Sequence, residues 1–202
     1  MTRNKDRKVP LKVGITGSIG MGKTTVALEM AKFDLPLWEA DNVVHKLYKK
    51  KNMGYDIVKE IAPAAATGPS VNRAILSDML IQNPILLPIL EAKLKPLLEV
   101  DRKNFIFQHS EKKIVLFDIP LLFETKAESW LDIVIVVMTS SAVQNKRVME
   151  RGSITKEKYQ YLKSLQTSIS KKIKKADYVI DNNADKKALK QKIKKIMEKI
   201  KP

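Results

Sequence analysis

Gly17-Ser-Ile-Gly-Met-Gly-Lys-Thr24 is the stretch on which the reading of this chain turns. It fits the pattern G-x-x-x-x-G-K-[ST] without a mismatch. Glycines let the backbone wrap closely and turn its N–H groups onto phosphate oxygens. Lys23 places a point charge beside the β- and γ-phosphates, and the Thr24 hydroxyl can ligate Mg²⁺. The context is also the required one. Lys12-Val-Gly-Ile-Thr16 is a β-branched run leading straight into the loop, and Val26, Ala27, Met30 and Ala31 follow at the spacing of one helix face. The helix starting near Lys23 aims the positive end of its dipole at the same anion. Gly17, Gly20, Met21, Gly22, Lys23, Thr24 and Thr25 are therefore the expected nucleotide-binding residues, with ATP and Mg²⁺ as the implied ligands.

Outward from the loop, further strands appear. Lys113-Ile-Val-Leu-Phe-Asp118 and Asp132-Ile-Val-Ile-Val-Val-Met138 are near-continuous apolar runs, as in strands buried on both faces of a parallel sheet. Tyr178–Asp181 is a shorter example, and Leu35–Ala40 reads as a second strand ending at Asp41. Helical patterns lie between these runs, so the order is βαβ. The expected fold is α/β: a P-loop NTPase-type parallel sheet of about five strands flanked by helices, with a middle stretch long enough to form a separate helical lobe. Residues 42–111 read as mostly helical, with a helix starting at Asn83-Pro84 that Pro88 and Pro96 should kink or shorten. At the C-terminus Leu189, Ile193, Ile196 and Ile200 share the apolar face of an amphipathic helix. Residues 1–10 read as a disordered tail.

Composition narrows the partners. The chain has 202 residues, 44% hydrophobic and 30% charged, which suits a folded soluble domain. There is no cysteine, which removes disulfides, thiol nucleophiles and Cys-based zinc sites. No apolar run approaches the roughly 20 residues of a membrane span, so no membrane partner and a cytoplasmic location are expected. The net charge of +16 suits a polyphosphate substrate or a nucleic acid. Lysine supplies most of it, however, and aromatics are only 6%, so base-stacking platforms and bidentate arginines are scarce. Nucleic acid is accordingly not expected as a partner, and the chain is expected to act as a monomer or weak homo-oligomer.

Several polar residues are placed for chemistry, each with a plainer reading beside it. Asp41 ends the second expected strand, where the carboxyl ends of a parallel sheet meet the ligand crevice. A carboxylate there can take the proton of an acceptor hydroxyl, or it can simply cap the next helix. Asp118 follows an apolar strand in the manner of a Walker B element, able to hold Mg²⁺ directly or through water, or else to cap a turn. His45 lies four residues beyond Asp41, on the same helix face, and is either a substrate contact or structural. Arg147 and Arg151, two of six arginines, stand four apart after the fourth strand. They can clamp a transferring phosphoryl group or lie on a solvated face. His109 has nothing to recommend it.

Taken together, these residues resemble the dephospho-CoA kinase family. The resemblance runs from about Leu11 to Asp181: Val13–Val26 is similar to its opening, and Glu39-Ala-Asp41 to its Asp-Ala-Asp element. It continues through Asn72-Arg73, Leu90-Glu91 with Pro96, Phe117-Asp-Ile-Pro-Leu-Leu-Phe-Glu124 and Asp132–Val136. Gln144, Arg147, Arg151, Gln166, Lys172 and Ala176-Asp177 are similar to its lid motif. Three positions depart: Glu39 replaces an Asp, Lys95 stands where a His usually precedes Pro96, and Leu165 precedes Gln166 where relatives carry basic residues nearby.

The resemblance implies ATP-dependent phosphorylation of the ribose 3′-hydroxyl of dephospho-CoA. In it Asp41 would be the base, Lys23 and Arg147 would act on the phosphoryl group, and Arg151 would bind nucleotide. His45, Arg73 and Asp118 would face the acceptor. It also implies a nucleotide core at 11–41, 112–140 and 171–202, a CoA lobe at 42–111 and a lid at 141–170. The alternatives from the residues themselves are another P-loop small-molecule or nucleoside kinase, or a basic P-loop NTPase that binds nucleic acid.

Overall fold

The computed structural model describes residues 9–150, 152, 155–183 and 185–200. Arg151 and the first eight residues of the expected tail lie outside them. Five strands form one sheet in the order β2-β3-β1-β4-β5: β1 Leu11–Thr16, β2 Leu37–Glu39, β3 Ile114–Asp118, β4 Ile133–Met138 and β5 Tyr178–Asp181. β1 pairs in parallel with both β3 and β4, and β4 in parallel with β5. All five residues of β3 are buried, as are the four central residues of β4. That is why these runs lack alternation: each side chain, up or down, meets a covered face.

Helices supply the covers. α1 (Lys23–Ala31) buries Val26, Ala27 and Met30, and the last helix, α9 (Lys186–Ile200), buries Leu189, Ile193, Met197 and Ile200. These pack with Val13, Ile15, Leu116, Ile135, Val137 and Ile180 into one core. At the other side of β3, Phe117 meets Trp38 at 5.9 Å and Trp130 edge-on at 5.0 Å. The face of α9 differs slightly from the sequence expectation. Met197 takes the fully buried position, and Ile196 packs at its margin.

The chain divides into two compact units: residues up to Trp38 together with those from His109 onward, and Glu39–Gln108. The second therefore starts three residues earlier and stops three earlier than the 42–111 segment read from the sequence. It contains α2 (Ala40–Leu47), α3 (Met53–Ile61), α4 (Arg73–Gln82) and α5 (Leu86–Gln108). Its own core joins Tyr48, Tyr55, Val58, Leu76, Leu90 and Leu94. The Tyr55 hydroxyl ties down the α3–α4 connection, lying 2.6 Å from the Ala66 carbonyl and 2.9 Å from that of Gly68.

Two local expectations are corrected here. α5 begins at Leu86, because Asn83 and Pro84 form a turn whose carbonyls accept from Leu86 and Leu87. It then runs unbroken for 23 residues through Pro96. Pro88 lies in the first turn, where an N–H has no intrahelical partner to lose. Pro96 forfeits one bond, and burial of Leu90 and Leu94 holds the helix across it. The cap reading of Asp41 also fails: Glu39 is the N-cap residue of α2, and Asp41 is the second residue of the helix.

Between β4 and β5 lie α6 (Ser141–Glu150), α7 (Lys156–Ser164) and α8 (Ile169–Lys174). No helix among the described residues is long and apolar enough to cross a membrane.

Candidate active site

The loop between β1 and α1 is shaped by what its glycines permit. A Cβ on Gly17 would lie 2.6 Å from the Val137 carbonyl oxygen of β4, so only glycine lets the chain leave the sheet here. Gly22 is the N-cap residue of α1 with φ 83°, in the left-handed region, and a side chain on it would strike the Asn182 amide. The first turn of α1 carries no acidic residue, leaving its partial positive charge unneutralised.

Lys23, the first residue of α1, forms an ion pair with Asp118 Oδ1. Their side chains are only 12% and 4% exposed. The register explains the meeting: Asp118 ends β3 directly opposite Ile15 of β1, next to the strand that feeds the loop. Thr24 and Thr25 are exposed at the start of α1, and Met21 is buried under the loop.

The loop's backbone is gripped from outside. Ile19 N–H donates to Gln166 Oε1 at 3.1 Å, and its carbonyl accepts from Gln144 Nε2 at 2.7 Å. The Met21 carbonyl accepts from Asn182 Nδ2 at 3.0 Å. Arg147 projects from α6 toward the same place, where its Nη2 donates to the Asn182 carbonyl at 3.1 Å. Its Nη1 is buried without a hydrogen-bond partner and stands 3.3 Å from where a Cβ on Gly22 would be. A guanidinium proton left unpaired beside a phosphate-type loop is a donor suited to an oxyanion.

Asn182 escaped the sequence reading. It is 5% exposed and follows β5 directly. The strand-end rule that singled out Asp41 and Asp118 applies equally to it.

The stretch after β3 carries a second buried charge. Glu124 Oε1 accepts the Thr167 N–H at 2.6 Å and lies 3.0 Å from Lys172 Nζ, which is wholly buried in α8. The ion pair is close, but neither Lys172 Nζ nor Glu124 Oε2 makes a directed hydrogen bond. Burial pushes the Glu124 carboxyl up. Its own and Thr167's backbone N–H groups and the Lys172 ammonium outweigh that and hold it below the usual carboxylate value.

The first unit thus brings together the loop, Lys23, Asp118 and Arg147. Asp41, His45 and Arg73 belong to the second unit. Asp41 is exposed in the first turn of α2, with His45 exposed one turn later. Arg73 opens α4, whose N-cap Asn72 accepts from Ala74 and Ile75 N–H. Burial raises the Tyr48 phenol, and the Arg73 charge opposes that rise. Among the described residues no group of three or more His, Cys, Asp or Glu side chains could hold a metal ion.

A sheet of this order, with a glycine loop after its central strand and a paired Lys and Asp at its carboxyl end, defines a P-loop phosphotransferase. The sequence profile of the dephospho-CoA kinases matches residues 11–188. The chain is 37% identical to the dephospho-CoA kinase of Cereibacter sphaeroides over 85% of its length and 87% of that protein. It is 38% identical to the enzyme of Rhizobium meliloti over 92% and 96%. Among solved structures, TT1252 from Thermus thermophilus superposes with a TM-score of 0.81 at 27% identity, covering 96% of this chain and all of that one. The chain belongs to the dephospho-CoA kinase family.

Proposed function

We propose that this chain transfers the γ-phosphoryl group of ATP to the ribose 3′-hydroxyl of dephospho-CoA, giving coenzyme A and ADP. The observation that carries the reading is the meeting of Lys23, Asp118 and Arg147 at the Gly17–Thr24 loop in a chain whose family match spans 11–188.

The loop binds the triphosphate through its backbone, and Lys23 exchanges part of its Asp118 contact for β- and γ-phosphate oxygens. Arg147 Nη1 donates to the transferring group, offsetting the charge that spreads over its equatorial oxygens. Arg151 adds a further contact to the nucleotide. In the second unit Asp41 accepts the proton of the 3′-hydroxyl as that oxygen bonds to the γ-phosphorus. The bond from phosphorus to the β–γ bridging oxygen breaks, and ADP leaves. His45 and Arg73 bind the acceptor within the 42–111 segment. The 141–170 segment acts as a lid that keeps water from competing as acceptor.

Mg²⁺ fits this site: the exposed Thr24 hydroxyl and the Asp118 carboxylate are hard oxygen donors, and such ions take one or two protein oxygens plus substrate phosphates. When bound it neutralises charge on the β- and γ-oxygens. Much of the +16 charge is solvated lysine, and the aimed cations are few. The chain is proposed to work in the cytoplasm as a monomer or weak homo-oligomer without nucleic acid.

The test is ADP formation by the full chain with Mg·ATP, alone and with dephospho-CoA, RNA or DNA. Stimulation by dephospho-CoA, with coenzyme A appearing in step with ADP, is expected. Stimulation by RNA or DNA and none by dephospho-CoA overturns the reading in favour of a nucleic-acid-dependent NTPase.

A further inference from the structure

Ile19 sits at the middle of the phosphate loop, and both its backbone polar groups are taken by side chains from one segment. Gln166, in the turn between α7 and α8, accepts its N–H; Gln144, on α6, donates to its carbonyl. The partners dictate the amide orientations, since an N–H can meet only an oxygen and a carbonyl only a nitrogen. Gln144 is almost wholly buried, and its remaining oxygen accepts from Lys163 Nζ of α7 at 3.3 Å. Gln166 is held in turn. Its own N–H bonds to the Lys163 carbonyl, and the next residue, Thr167, donates to Glu124, which Lys172 neutralises. Neither glutamine has a role in the chemistry described above.

We infer that Gln144 and Gln166 are positioning residues that clamp Ile19 from opposite sides, fixing the phosphate loop in its nucleotide-binding shape. The clamp also ties that shape to the 141–170 segment, because both jaws come from it. The inference rests on the kinase reading only in taking ATP as the loop's ligand.

The two jaws have opposite polarity, and that supplies the test. Gln166→Glu keeps an oxygen for the Ile19 N–H. Gln144→Glu replaces the donor with an oxygen facing the Ile19 carbonyl. Both add one negative charge beside the same residue, so repulsion of ATP is common to the pair. Gln166→Leu removes the acceptor without adding charge, at a half-buried turn that folding tolerates. The readouts are the Kd for a non-hydrolysable ATP analogue with Mg²⁺, the KM for ATP and for dephospho-CoA, and the thermal midpoint.

Gln166→Leu is expected to weaken analogue binding about tenfold, the size expected when a buried backbone group loses its partner. The KM for dephospho-CoA should move far less. Gln166→Glu should bind the analogue more tightly than Gln144→Glu, which shares its charge but offers the Ile19 carbonyl no donor, and Gln144→Glu should be the weakest binder of the three. Analogue affinity of Gln166→Leu equal to wild type overturns the clamp, as does Gln166→Glu binding no better than Gln144→Glu. Should Gln144→Glu fail to fold, the comparison of Gln166→Leu with wild type decides alone, since neither carries the added charge. Analogue binding needs no acceptor, so an absence of dephospho-CoA turnover in the wild type refutes the kinase reading separately.

Discussion

Replacing Lys172 by methionine isolates the buried charge that follows β3. Lys172 is 0% exposed and its partner Glu124 17%, so the substitution leaves a carboxylate largely cut off from both water and its counter-charge. Removing one partner of a buried pair costs about 3–5 kcal/mol. Glu124 keeps the Thr167 N–H and some solvent, which puts the expected loss near the low end, about 3 kcal/mol. At about 2–4 °C per kcal/mol for a chain of this size, the thermal midpoint should fall by about 6–12 °C. Adding Glu124→Gln should recover more than half of that, because the unpaired charge is then gone. The sign with pH follows from the lowered Glu124 value in the wild type. A depressed carboxylate contributes stability above its unfolded pKa, ordinarily 4.5, and loses it as pH falls through the lower folded value. In Lys172→Met the ammonium no longer holds that value down, so Glu124 takes up its proton at higher pH than in the wild type and the deficit should narrow on acidification. Thermal unfolding followed by circular dichroism at neutral and mildly acidic pH measures all three effects. A loss under about 1 kcal/mol refutes the reasoning. So does a double variant as unstable as the two single losses summed.

Asp41→Asn should keep ATP-analogue affinity while lowering kcat by about 10²-fold or more, the range of a lost general base; near-normal turnover in a steady-state assay would remove Asp41 from the chemistry. Arg147→Ala should lower kcat by about 10³-fold with a thermal midpoint close to wild type. An unchanged rate would leave its buried Nη1 without a role. Gly22→Ala should cost about 1–2 kcal/mol for the left-handed φ alone and raise the KM for ATP by displacing Asn182. Both are read from melting and initial rates, and a variant indistinguishable from wild type would contradict the loop geometry.

What could be read from the sequence was what the chain writes locally. The loop residues, β3 and β4 announce themselves through glycine spacing and unbroken apolar runs, because each is a consecutive stretch with one physical job. Asp118 was legible for the same reason, as a carboxylate closing an apolar strand. The grip on the loop was not. Gln144, Gln166 and Asn182 lie 125, 147 and 161 residues from their partners, and no local pattern encodes a glutamine that meets a backbone so far away. Pro96 misled because its local cost is real, yet the burial of Leu90 and Leu94 that outweighs it is tertiary. Asp41 misled as a cap because helix starts drift by a residue or two, and here Glu39 stands at the boundary.

The sheet's central strand also has a history on the ribosome. Leu11 of β1 pairs with Ile114 of β3 and Val13 with Ile133 of β4, so every neighbour of β1 is synthesised some 100 residues later. At about 5–20 residues per second, β1 emerges roughly 5–20 s before it has a strand to join. During that interval the Glu39–Gln108 helices, built from contacts within one contiguous stretch, can complete their core. Val13 and Ile15, which end wholly buried, have no strand partner during that interval. The segment that will carry the phosphate loop is therefore, for that time, an unpaired apolar strand of the kind that invites aggregation and chaperone capture.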